Sequence, residues 1–267
     1  MQKSRKNRHV YALTLLVGVF FICPHFSVSQ GIAEESPMSK WQKLASYTTY
    51  YNEGDRDRSE NISIASSLIN DVVLQAYGEF SFNQTVGRRT ADAGFKQAKI
   101  IVNGEYVLGV GGGVCQVSTT LYNSAILSGL EVTEFHPHSL LVGYVAPSRD
   151  AMVSTHSDLK LYNPHDYPVR LRSQTFSGGI TVGFYSECKI DKYALVSVKT
   201  GETLPPPPVV KEGEEEGILR QERNGVKSEL YLERYKKGKL ISRKRIRKDE
   251  YRPTQGIIVK KIGNPPD

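Results

Sequence analysis

The stretch GVGGGVCQVSTTLYN, residues 109–123, decides how the rest of the chain is read. Gly109, Gly111, Gly112 and Gly113 lead into Cys115. Glycines let a backbone adopt positive φ and leave its N–H groups open to close approach. Beyond the cysteine, Val117, Leu121 and Leu127, with Ala125 on the same side, predict a helix of three turns stopped at Gly129. A cysteine on the first turn of a helix meets uncapped amides and the positive end of the dipole, which favours thiolate over thiol. The amides of such a turn suit an oxyanion, and Gln116 and Ser118 are further donors beside the thiol. That combination fits acyl transfer through a thioester. The same pattern also arises when a small buried side chain sits beside a flexible loop, because free cysteine packs as a small hydrophobe.

Working outward, residues 38–57 alternate like a strand and then turn charged. Residues 61–78 predict a helix, with Asn61 or Ser63 as cap, Ile64, Leu68, Val72 and Ala76 at a spacing of four, and Gly78 as stop. Phe80 and Phe82 read as a short strand. AKIIVNGEYVLGV reads as a hairpin turning at Asn103-Gly104. Residues 130–135, 140–145, 158–162, 169–174 and 179–185 predict strands. The class is α+β, mostly antiparallel β with two central helices. LPPPPVV, residues 204–210, is a stiff extended spacer. After it come short, charged, strand-like segments that make a small all-β module with modest stability of its own. The parts are 30–57, an N-terminal extension; 58–190, the main domain; 191–208, a proline-rich linker; and 209–267, a basic β module.

The first 29 residues stand apart. Lys3, Arg5, Lys6 and Arg8 precede a 14-residue apolar run at 10–23, with Ser27 and Ser29 beyond it. This is the layout of a secretory signal peptide cleaved after Ser29; an uncleaved anchor is the alternative. The chain of 267 residues carries a formal charge of +7, unevenly spread. Residues 209–267 hold 16 Lys/Arg against 10 Asp/Glu, whereas 30–208 is net −3. In an exported protein a basic tail points to an anionic wall polymer or a membrane surface and not to nucleic acid; a solvated basic sheet face is the plainer explanation. Cys115 and Cys188 remain beyond the leader, and an even count invites a disulfide, which would remove the nucleophile.

A thiolate needs a proton partner. His136 and His138 flank Pro137 on one face of an extended segment, one helix and one strand after Cys115, with Ser139 following. Of the charged pair further on, Asp150 is placed to hold His138, and Arg149 to bind a substrate carboxylate through a two-pronged guanidinium contact. Alternatively the histidines lie on a surface loop and Arg149–Asp150 is a local ion pair. Cys115, His136 and His138 also contain zinc-ligand types, but neither C-x-x-C nor H-E-x-x-H occurs, so no metal and no cofactor is expected. GVGGGVCQ lacks the Lys-Ser/Thr of a phosphate loop.

EFSFNQTVGRRT, GVGGGVCQVSTTLYNSAI, EFHPHSLLVGYVAPSRDAMV and SDLKLYNP, in this order, resemble the VanW family of exported bacterial envelope proteins, from about Arg58 to Tyr185. The basic tail resembles a short G5 domain, a β-rich module associated with cell-wall glycans. The resemblance implies a cell-envelope location and an L,D-transpeptidase-like activity on peptidoglycan stem peptides. Cys115 would attack the donor carbonyl, His138 would shuttle protons, and the Gly112 and Gly113 amides would help form the oxyanion site. A cysteine endopeptidase or amidase, or a non-catalytic wall-binding protein, are the alternatives. Here histidine follows cysteine in the chain, whereas the better-known L,D-transpeptidase motif runs serine-histidine-glycine-cysteine. AYGEF, residues 76–80, also stands where many relatives carry a proline-glycine-glutamate turn.

Overall fold

In chain order the strands and helices are β1 (Gln42–Tyr50), α1 (Arg56–Ile69), β2 (Val73–Leu74), β3 (Glu79–Ser81), α2 (Phe82–Val86), β4 (Gln97–Val102), β5 (Glu105–Val110) and α3 (Val114–Leu127). They continue as β6 (Glu131–Glu134), β7 (Lys160–Tyr162), β8 (Val169–Phe176), β9 (Gly179–Ser186), β10 (Lys192–Thr203), β11 (Val209–Gly213), β12 (Gly217–Arg220), β13 (Gly225–Lys236), β14 (Lys239–Tyr251) and β15 (Ile257–Lys261). The structure is a computed structural model that describes residues 40–261 apart from 103 and 214. The expected leader at 1–29, the first residues of the extension and Asn103 of the expected hairpin turn lie outside the described residues.

The central sheet has the order β1-β9-β8-β2, antiparallel throughout. Helix α3 packs across β1 and β9, and α1 across β8. Nearly every side chain of α3 is buried, polar ones included. A helix buried on all sides must satisfy its polar groups internally. Thr120 Oγ1 accordingly meets Thr49 Oγ1 of β1 at 2.7 Å, and Asn123 Nδ2 donates to Thr119 O and Arg149 O, both at 2.7 Å. Ile62 and Ile69 of α1, Leu121 and Tyr122 of α3, and Leu171, Ile180 and Phe184 of the sheet are fully buried in one core. Each such side chain contributes roughly 1.5–3 kcal/mol through burial.

The fold agrees with the α+β class, with one short helix more than expected and three shifts. Helix α1 begins five residues earlier than the expected start, because Asp55 caps it by accepting from Arg58 N. Asn61 is not a cap. It sits buried in mid-helix, donating to Lys96 O (3.0 Å) and Gly112 O (2.9 Å) while accepting from Lys96 N (2.7 Å). Residues 82–86 form a one-turn helix because the Ser81 side chain caps it. Residues 140–145 are not a strand: their segment is a loop whose carbonyls and amides are held from elsewhere, such as Ser139 O by Arg252 N (2.9 Å) and Ser148 N by Tyr251 Oη (2.7 Å).

The region expected as linker from residue 191 contains β10, which pairs with β13 along its whole length. Strands β10, β13 and β14 form one three-stranded sheet and β11, β15 and β12 another. The first of these joins the main core: Leu230 is fully buried in it, and Leu195, Leu232 and Ile246 pack against it. Asn61→Ala removes three hydrogen bonds that tie α1 to Lys96 and to the glycine turn, and it is expected to cost about 2–3 kcal/mol. Denaturant unfolding checks this; an unchanged midpoint contradicts it.

Candidate active site

The glycine turn is built to deliver Cys115. Gly111 (φ 86°) and Gly113 (φ 109°) occupy the left-handed region. A Cβ on Gly112 would lie 2.7 Å from the backbone carbon and Cβ of Ala98, so β4 can pass this close only to a glycine. Gly113 caps α3 without any side-chain hydrogen bond. Gly111 N donates to Lys96 O, Val114 N to Gly111 O and Gln116 N to Gly113 O. Among the described residues no hydrogen bond engages the amides of Gly112, Gly113 and Cys115. Gly111 and Gly113 line the cleft in front of the thiol, but Gly112 does not. Of the three, Gly113 and Cys115 belong to residues that line the cleft, which makes their amides the candidates for an oxyanion site.

His138 is buried, and its Nδ1 lies 2.7 Å from Asp150 Oδ2, which also accepts the His138 backbone N–H at 2.7 Å. With Asp150 on Nδ1, Nε2 is the ring nitrogen left for the hydrogen bond with Cys115. In its neutral form the thiol donates to Val153 O at 3.3 Å. Burial pushes the Cys115 thiol up, but the His138 hydrogen bond and charge, helped by Arg89, outweigh it and bring the thiol below the ordinary cysteine range. Burial opposes the charged form of His138 too, yet Asp150 and Cys115 raise it to about 9. Asp150 is driven up by burial and held down, at about 2, by His138 and Arg247. All three directions favour a thiolate–imidazolium pair oriented by a carboxylate.

The consequence for pH follows from the signs. His138 has a folded-state value raised from 6.5 to about 9, so its contribution to stability is complete below about 6.5 and is lost as pH rises through about 9. Alkylation of Cys115, followed on its own peptide by mass spectrometry, is expected to rise with a midpoint below the ordinary value of about 8.5. A midpoint at or above that value contradicts the arrangement.

The cleft holds about 790 Å³. Cys115 and His138 open into it, and Arg58, Arg88, Arg89 and Lys99 line it against a single carboxylate, Asp55. Arg58 is braced by Gln116 Oε1 (2.8 Å) and Arg89 by Asn83 Oδ1 (2.7 Å). Tyr144 also lines it; its hydroxyl bonds Thr119, and burial followed by the nearby Cys115 charge pushes it up, so it stays protonated at neutral pH. The β4–β5 hairpin forms one wall through residues such as Ile100 and Tyr106.

Several expected site residues do other work. The Gln116 amide donates to Thr49 Oγ1 (3.1 Å) and Tyr50 O (3.0 Å), so it braces β1 and Arg58 and is not an oxyanion donor. Ser118 donates to Ala151 O (2.7 Å), pinning the Asp150 loop to α3. His136 turns to Glu134 Oε1 (3.1 Å) and lies outside the cleft, so Cys115, His136 and His138 do not converge on one point. Ser139 contributes its carbonyl to Arg252 and does not line the cleft. Arg149 is no substrate clamp: Nε donates to Asn123 Oδ1 (2.8 Å) and the guanidinium covers the Tyr47 ring at 4.6 Å, away from the cleft. Cys115 and Cys188 are both free. The residues that sequence reasoning missed are the cleft cations, Tyr144, and two from the tail, Arg247 and Tyr251, which hold Asp150. The paired arginines of VGRRT were the one local signal for any of them.

The fold and these contacts define a thiol–imidazole–carboxylate site set at the N-terminus of a buried helix. Residues 57–185 match the family model described as VanW like protein. A Bacillus subtilis (strain 168) protein named "Uncharacterized protein YoaR" is 42% identical over 146 residues, which is 54% of this chain and 48% of the relative. Residues 57–185 are therefore a VanW-like domain. The chain spans about half the length of that curated relative. A solved structure titled "Crystal structure of HP0197-G5" aligns with 26% of this chain and 97% of its own at 16% identity, with a TM-score of 0.14.

Proposed function

We propose that this protein is an exported cell-wall enzyme, similar in activity to L,D-transpeptidases, that forms peptidoglycan cross-links through a Cys115 acyl-enzyme. One observation carries the reading: Cys115, His138 and Asp150 form a connected line that opens into a cleft walled by Arg58, Arg88, Arg89 and Lys99. Such a wall suits a peptide bearing several carboxylates, as a stem peptide does.

In the first step the Cys115 thiolate attacks the donor carbonyl, and the Gly113 and Cys115 amides receive the developing oxyanion. The carbon–nitrogen bond to the terminal D-alanine breaks, and the His138 imidazolium gives its Nε2 proton to the leaving amine. An acceptor amine then attacks the thioester carbonyl; the carbon–sulfur bond breaks to release the Cys115 thiolate, and the amine's proton passes to His138, which restores the imidazolium. Water in place of the amine would make the same site a hydrolase.

The tail takes a smaller part in wall binding than its charge suggests. Arg234, Arg243 and Arg245 are paired with Asp191, Glu233 and Glu229, and Arg247 with Asp150 and Asp249. Contact with an anionic polymer then falls to exposed cations outside these pairs, such as Lys236, Lys237 and Lys239 at the β13–β14 turn and Lys244 and Lys248 on β14. Muropeptide analysis after incubation of sacculi or a tetrapeptide substrate with the protein tests the main reading. New cross-linked dimers support it, cysteine-dependent fragments convert it to hydrolysis, and products indifferent to Cys115 overturn both.

A further inference from the structure

The site described above is closed from behind by strand β14. Asp150 is 1% exposed and uses every acceptor position it has. Oδ2 takes the two His138 donors. Oδ1 takes Arg247 Nη2 at 3.3 Å and the Tyr251 hydroxyl, and the Asp150 carbonyl takes Arg247 Nη1 at 2.5 Å. Arg247 is itself buried, 5% exposed, although it carries a charge. Its Nε donates to Asp249 at 3.0 Å, and its guanidinium lies 4.6 Å from the Phe135 ring centre and 5.4 Å from that of Tyr122. Tyr251 is 1% exposed and accepts the Ser148 amide while bonding Asp150. Ser228 of β13 meets Ser148 at 2.7 Å, and Ser197 of β10 donates to Pro147 O at 2.6 Å. The loop that carries the orienting carboxylate is thus fastened by all three strands of a sheet that lies outside the family-matched residues.

We propose that Arg247 and Tyr251 are positioning residues for the Cys115–His138 pair, fixing the Asp150 carboxylate in its ionised form and aimed at Nδ1, so that the C-terminal sheet is part of the reactive apparatus. A module serving only to hold the wall would have no need to bury an arginine and a tyrosine against a carboxylate in another part of the fold. Burying a charged group is costly unless it is paired and fully hydrogen-bonded; Asp249 takes Arg247 Nε, and Asp150 takes the two remaining nitrogens. The arrangement also divides the labour of the carboxylate. One oxygen serves His138, and the other is held by groups that touch neither the thiol nor the cleft. This proposal rests on the thiol-nucleophile reading of the site.

The test reads the thiol itself and not a wall product. Iodoacetamide alkylation of Cys115 is followed on its own peptide across pH in the full chain, in Tyr251→Phe, in Arg247→Lys and in Arg247→Met. The groups facing Asp150 are His138, Arg247 and Tyr251, with Asp249 behind Arg247; those facing Cys115 are His138, Arg89 and Tyr144. Tyr251→Phe changes no charge near neutral pH, and is expected to move the midpoint upward and slow alkylation at pH 6.5 about tenfold. Arg247→Lys keeps the charge but not the three-way contact, and is expected to shift the midpoint in the same direction. If Arg247→Met shifts it while Arg247→Lys restores it fully and Tyr251→Phe leaves it unmoved, the effect is charge alone and positioning is overturned. Far-ultraviolet circular dichroism confirms folding, and Tyr251→Phe keeps the test decisive if Arg247→Met does not fold. A depressed wild-type midpoint that no folded variant moves overturns this proposal and spares the nucleophile. A wild-type Cys115 that titrates as an ordinary thiol overturns the nucleophile reading beneath it.

Discussion

Cys115→Ala is expected to remove every cross-linked product that the protein forms, a loss of at least about a thousandfold. Among the described residues no other nucleophile is bonded to His138, and Ser118, the hydroxyl nearest along the helix, is fully buried and committed to Ala151 O. The substitution is also expected to leave the fold intact. Cys115 is half-buried, its sulfur meets only Val153 O and the His138 ring, and alanine favours the helix. Cys115→Ser refines the result. A hydroxyl is not acidified by a neighbouring imidazolium to any useful degree, so the serine variant is expected to behave as the alanine one does. Muropeptide chromatography beside a thermal melt checks both parts, and products surviving in folded Cys115→Ala would contradict the assignment.

Asp150→Asn is the second large effect, and it acts on stability and chemistry together. Four donors converge on the carboxylate: the backbone amide and ring Nδ1 of His138 on one oxygen, Arg247 and the Tyr251 hydroxyl on the other. An asparagine must aim its NH₂ at one of those pairs, so donors face donors whichever way the amide is flipped. Arg247 also keeps only Asp249 as counter-charge in a buried position. A cost of about 3–5 kcal/mol is expected from this uncompensated charge. Where the variant folds, His138 loses the anion that fixes Nδ1 protonated and stabilises imidazolium, and a rate loss of roughly ten-thousandfold follows from other sites of this type. Denaturant unfolding and the alkylation profile of Cys115 separate the two effects. A variant as stable as the parent, with the thiol still acidified, contradicts both.

The signals in the chain that could be read were the local ones. A glycine run before a helical period placed Cys115 at a helix start, because positive φ and amphipathic spacing act over a few residues. The alternation of 179–185 announced β9 in the same way. His138 over His136 could not be chosen from alternation, since both share a face; what separates them is that Glu134 takes one and Asp150 the other. Arg149 looked like the better substrate cation because nothing nearby in sequence revealed Asn123 and Tyr47. Arg247 was invisible within RKRIRK, where every residue but Ile246 is basic and only the fold buries one of them. The prolines at 205–208 suggested a spacer, and they lie between β10 and β11 outside any strand; the expected linker also took in β10, whose charged, half-exposed strand carries no strong apolar pattern.

The span between Asp150 and its holders has a bearing on how the molecule is made. Arg247 lies 97 residues and Tyr251 101 residues beyond the carboxylate they grip. A chain emerging from its N-terminus presents the glycine turn, the helix and both histidines well before β14 exists. Until residue 251 arrives, Asp150 lacks both of these partners on its second oxygen. On the proposed role of Arg247 and Tyr251, the thiol is made well before the residues that arm it, and it passes that interval as an ordinary cysteine.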